Sequence, residues 1–128
     1  MPIATIEIRR RYSAAEEVAI IDAVHAALVA ALKIPLEDRT VRLVVHEPHR
    51  FAVDPDKGDR FTLITIDLFS GRSLRAKQAL YAALVGGLGE LGIPADHVKV
   101  LLREVARENF GIRGVPASEV DLGFEINV

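Results

Sequence analysis

Pro2 is a position whose chemistry depends on processing. Joined to Met1, its nitrogen is an amide and inert. With Met1 removed, it is a secondary amine that can take a proton from a carbon beside a carbonyl, or return one. The competing reading is structural, because proline is tolerated at the first residue of a strand and stiffens its entry. A strand-like run, Ile3-Ala4-Thr5-Ile6-Glu7-Ile8-Arg9, follows at once. Locally, both readings stand.

Other side chains with chemical potential are arranged less suitably. Gly87-Leu88-Gly89-Glu90-Leu91-Gly92 fits G-x-G-x-x-G. A dinucleotide fingerprint opens a helix after a strand, whereas this one closes a helix. His46 and His49 lie at a strand end running into a proline turn, with no third ligand suggested nearby, so no metal is expected. Asp54, Asp56 and Asp59 are acidic enough for calcium, but the loop spacing puts Thr65 where a glutamate is required. His25 reads as a packing residue and His97 as the start of a strand. Arg9-Arg10-Arg11 reads as a solvated strand end rather than a nucleic-acid patch. No G-x-S-x-G elbow is present, and the absence of cysteine excludes disulfides, zinc thiolates and a thiol nucleophile.

A chain of 128 residues, half of them hydrophobic and 27% charged, suits one globular domain, 1–128. Sixteen Lys+Arg against eighteen Asp+Glu leave a net charge of -2, so there is no long-range field to gather nucleic acid. No basic start precedes an apolar stretch, and no apolar run approaches about 18 residues. The expectation is a soluble, cytoplasmic protein without a membrane partner.

The elements that must position Pro2 follow from periodicity. Pro2, Ala4, Ile6 and Ile8 share one face of the first strand, and Thr5, Glu7 and Arg9 the other. Ser13 caps a helix that reaches about Lys33 through Val18, Ile21, Val24, Leu28 and Leu32. Ile34-Pro35 ends it, and Thr40–Val45 is the next strand. After a polar loop the pattern restarts: Phe61–Leu68 is a strand, and Ser73 caps a helix with Leu80, Leu84, Leu88 and Leu91. Ile93-Pro94 stops that helix, and Val98–Arg103 is a fourth strand. Ile6 and Ile8 match Ile64 and Ile66, Ser13 matches Ser73, and Pro35 matches Pro94, which predicts a duplicated β-α-β unit at about 2–46 and 60–105. Right-handed crossovers put both helices on one face of a four-stranded sheet, an α+β two-layer sandwich. The open face then carries Glu7, Arg42, Asp67, Lys99 and Arg103. Within the tail, 106–128, the alternating segment Leu122–Val128 is expected to be a further strand, paired here or across a subunit boundary.

Pro2 at the head of the first strand, two β-α-β repeats, the turn FSGRS before the second helix and the tail NFGIRG together resemble the tautomerase superfamily. Among its branches the chain is most similar to the malonate semialdehyde decarboxylase-like group. The resemblance implies a cofactor-independent homotrimer that uses the amine of Pro2 as base or acid on a small 2-oxo or 3-oxo carboxylic acid. Keto–enol tautomerisation is the expected reaction, with decarboxylation open. It further implies that Arg72 grips the substrate carboxylate, for which a guanidinium's parallel donors are suited. Asp38, in Glu37-Asp38-Arg39, would assist beside the proline, and Phe110 and Ile112 would wall the pocket. The decarboxylases carry a second arginine two residues before Arg72, where this chain has Ser70; Arg75 is the candidate to compensate. The alternative is a catalytically silent trimeric ligand-binding or assembly module of the same fold.

Overall fold

In the computed structural model, which describes residues 1–128, the first alternation becomes β1 (Ile3–Ile8). Its inward face, Ala4, Ile6 and Ile8, is fully buried, and Pro2 continues that face. Ser13 begins α1 (Ala14–Leu32) with a capping box: its hydroxyl accepts from the Glu16 N–H, and the Glu16 carboxylate accepts from the Ser13 N–H. After β2 (Val41–Val45) and a long loop come β3 (Thr62–Phe69), α2 (Leu74–Gly89) and β4 (Val98–Val105). A small hairpin, β5 (Gly111–Ile112) with β6 (Val115–Pro116), lies in the tail.

The sheet order is β2-β1-β3-β4. Pairing is parallel within each β-α-β unit and antiparallel where β1 meets β3. This is the expected α+β sandwich of two repeats, with Leu28 and Leu32 of α1 and Leu80, Leu84 and Leu88 of α2 in one core. Glu7, Arg42, Asp67, Lys99 and Arg103 lie on the opposite face, where Leu101 is 54% exposed. Two core assignments change. Val18 is 56% exposed, because α1 is alanine-rich all round and presents the row Ile20, Val24, Ala27, Leu28 and Ala31 inward. Leu91 is partly exposed, because α2 ends at Gly89, two residues before it.

Residues 122–128 form no strand within this chain. Gly123, at φ +74, interrupts the extended run, and Ile126 is drawn into a small cluster with Phe69 and Ala117 at the end of the sheet. The tail thus crosses the strand ends instead of extending an edge.

Pairing register defines that end. Ile3 pairs with Asp67 and Ile8 with Thr62, so the start of β1 lies beside the end of β3. Ala4 pairs with Val41, and Phe69 with Val105. One end of the sheet therefore gathers the residues before β1 and β2 and those after β3 and β4.

Candidate active site

At this end the Met1 amine stands 3.8 Å from Oδ2 of Asp38, the carboxylate presented by the turn before β2. That oxygen is buried and accepts no hydrogen bond, so the amine is its charge partner. Burial lowers the pKa of this amine to about 6; Asp38 opposes the shift, and the Arg72 and Arg107 guanidiniums add to it. The head of β1 is thus a poorly hydrated place for a cation, between one carboxylate and two arginines.

Arg72 reaches the site from the turn between β3 and α2. Gly71 makes the turn possible at φ +126, where a Cβ would also meet Oδ1 of Asn127 at 2.6 Å. Ser73 caps α2, its hydroxyl accepting from the Ala76 N–H. Arg72 is only 6% exposed. Its Nη1 donates to the Leu32 carbonyl at 2.7 Å, an acceptor left over at the C-terminus of α1, and reaches the Glu125 carbonyl at 3.5 Å. Its carbon Cζ lies 5.9 Å from the centre of the Phe124 ring, and Nε has no partner. Burial lowers its pKa by disfavouring the charged form. The tail is pinned across it: the Ser73 N–H donates to the Val128 carbonyl at 3.0 Å.

Phe110 and Ile112 pack with Met1 on the cluster of Phe69, Ala117 and Ile126, and Phe110 meets the Phe69 ring edge-on at 5.2 Å. The structure therefore brings Pro2, Asp38, Arg72, Phe110 and Ile112 to one end of the sheet. Arg75 is exposed on the first turn of α2, with no hydrogen bond or ion pair, and lies outside this group. Sequence reading missed Arg107. Its Nη2 donates to the Ala117 and Val120 carbonyls at 3.1 and 3.2 Å, and it lines a cleft of about 430 Å³ with Ser70 and the tail. The available signal was its position two residues past β4, level with Gly71 across the register. The residues set aside earlier have ordinary partners: His25 is buried with Nε2 2.7 Å from the Leu36 carbonyl, and His46 pairs with Glu7 at 3.0 Å.

Residues 38–113 match the Tautomerase_2 family, described as tautomerase enzyme. The match includes Asp38, Arg72, Arg107, Phe110 and Ile112, with Pro2 outside it. A probable tautomerase of Ralstonia nicotianae is 39% identical over 57 residues, 44% of this chain and 81% of that protein. Among solved structures, a malonate semialdehyde decarboxylase is 26% identical with a TM-score of 0.78, over 85% of this chain and 88% of its own. The FG41 malonate semialdehyde decarboxylase, inhibited by 3-bromopropiolate, is 30% identical with a TM-score of 0.76, over 85% and 87%. A fused 4-OT, a symmetric trimer, is 27% identical with a TM-score of 0.76, over 91% and 96%. With more than half the sequence inside the family match, and decarboxylase relatives sharing its sheet, this chain belongs to the tautomerase enzymes, in the malonate semialdehyde decarboxylase-like branch.

Proposed function

We propose that the mature protein, freed of Met1, catalyses keto–enol tautomerisation of a small 2-oxo or 3-oxo carboxylic acid without a cofactor, with Pro2 as the proton carrier. The observation that carries this reading is geometric: an amine at the head of β1 stands 3.8 Å from the Asp38 carboxylate, where burial and the Arg72 and Arg107 guanidiniums lower its pKa. The same burial and the same guanidiniums would act on a Pro2 amine and hold it neutral near pH 7. The neutral amine takes a proton from the carbon beside the carbonyl, and the electron pair passes to the carbonyl oxygen. The ammonium formed is balanced by Asp38 and returns the proton to the enolate oxygen, giving the enol.

Arg72 holds the carboxylate, its unpartnered Nε being a donor without an acceptor. Phe110 and Ile112 limit water beside the amine. A neutral base and Ser70 in place of a second arginine both favour tautomerisation over decarboxylation. We further propose a trimer, which would cover the open sheet face around Leu101. The chain has no helix long and apolar enough to cross a membrane.

A retained Met1 favours the second reading, a silent ligand-binding module, because it makes the Pro2 nitrogen an amide. Intact mass of untagged protein distinguishes the two states. In an enol–keto assay with phenylpyruvate, Pro2→Ala is expected to lower kcat/KM by about 10²-fold or more. Equal rates for the two proteins would overturn the enzyme reading.

A further inference from the structure

His25 is buried, only 3% exposed, and the mechanism above gives it no part. Its Nε2 stands 2.7 Å from the Leu36 carbonyl. A carbonyl can only accept, so Nε2 carries the proton and donates it, while Nδ1 is buried with no hydrogen-bond partner. No backbone N–H donates to the Leu36 carbonyl, which leaves the imidazole as its partner.

This bond falls where the chain has little else to hold it. Ile34 is buried, and the Thr40 carbonyl accepts from the Ala4 N–H at 3.0 Å, which fixes the two ends of the segment between α1 and β2. Residues 35–40 put no side chain into the core, and Leu36 is itself 70% exposed. Their own backbone bond closes a turn from the Asp38 N–H to the Pro35 carbonyl, at 3.1 Å, and Leu36 lies inside that turn. On the other flank of Asp38, Arg39 pairs with Asp22, three residues before His25 on the same side of α1. That pair is exposed and contributes little.

The Asp38 carboxylate has no anchor of its own. Its Oδ2 is buried without a hydrogen bond, 3.8 Å from the chain's amine. Its place is set by the backbone that presents it, and the buried imidazole fastens that backbone to α1. Resting on the tautomerase reading above and extending it, we propose that His25 is a positioning residue: its Nε2–H holds the Leu36 carbonyl and so keeps the Asp38 carboxylate at the amine.

The test reads the amine itself. His25→Leu removes the donor, whereas His25→Gln can still present an N–H to the carbonyl. The charged groups acting on the amine are Asp38, which raises its pKa, and Arg72 and Arg107, which lower it. NMR titration of the isotope-labelled N-terminal amine, on Met1 or Pro2 as intact mass shows, should therefore give a lower pKa in His25→Leu. The fall is expected to be at least about half of that in Asp38→Asn, and the two should not add in the double variant. An unmoved amine in His25→Leu, or falls that add in full, would overturn the proposal. In turnover of phenylpyruvate, His25→Leu should lose about tenfold in kcat with KM within about twofold, because Asp38 balances the ammonium and does not hold the substrate. His25→Gln should recover most of that loss; a loss as large as that of His25→Leu would count against the bond. Absence of turnover in the wild type would sink the tautomerase reading and leave the titration to decide on His25. Where His25→Leu fails to fold, the wild-type imidazole decides: its nitrogen shifts should place the proton on Nε2, and a proton on Nδ1 would rule the contact out.

Discussion

The internal duplication gives the sheet two comparable ends, and they have been filled differently. At the far end, after β1 and before β3, Arg11 pairs with Glu47 at 2.7 Å and Arg10 with Asp59 at 3.6 Å. These are exposed ion pairs of the kind that contribute little. At the near end, Arg72 and Arg107 have carbonyls for partners and no carboxylate. In the repeat alignment Pro2 falls on Arg60 and Arg72 on Tyr12. Arg9 at the far end is likewise bound to carbonyls alone, so what the near end adds is the chain's amine beside Asp38, with Arg72 and Arg107 lowering its pKa.

The contrast between the ends can be broken by matched substitutions. Arg72→Gln is expected to lower kcat/KM on phenylpyruvate by about 10²-fold, mainly through KM. Arg11→Gln should leave turnover unchanged and move stability by less than about 0.5 kcal/mol in denaturant titration. Comparable losses at both positions would erase the distinction. A smaller effect concerns pH. In the proposed mechanism the base is the neutral amine, so kcat/KM should fall as pH drops through a lowered pKa, the Met1 amine at this place standing at about 6. In Arg72→Gln one of the guanidiniums lowering that pKa is gone, and the acidic limb of the profile should move to higher pH; an unmoved limb would detach Arg72 from the amine. The smallest effect separates the two helix caps. Ser13→Ala and Ser73→Ala should each cost about 1 kcal/mol, but only Ser73→Ala, beside Arg72, should also slow turnover, by about threefold.

The scaffold was legible because burial imposes two simple periods. Ala4, Ile6 and Ile8 repeat every second residue, and Leu80, Leu84 and Leu88 every fourth, and these residues are the core. Ser13 and Ser73 announced both helix starts. Val18 misled because an alanine-rich helix offers several apolar faces, and only contact with the sheet chooses among them. Leu122–Val128 misled because its alternation is that of a strand, while its apolar side chains find a cluster across the strand ends. Arg107 was invisible because nothing in its own neighbourhood sets it apart; the parallel register of β3 and β4 carries it to the turn bearing Arg72.

β1 is an inner strand, hydrogen-bonded to β2 on one side and to β3 on the other, and Pro2 is the residue just before it. A base carried on a mobile loop must be immobilised afresh at each catalytic cycle. For the base proposed here, the freezing of the backbone next to the nitrogen would be completed once, when the protein folds, and every later cycle would inherit it.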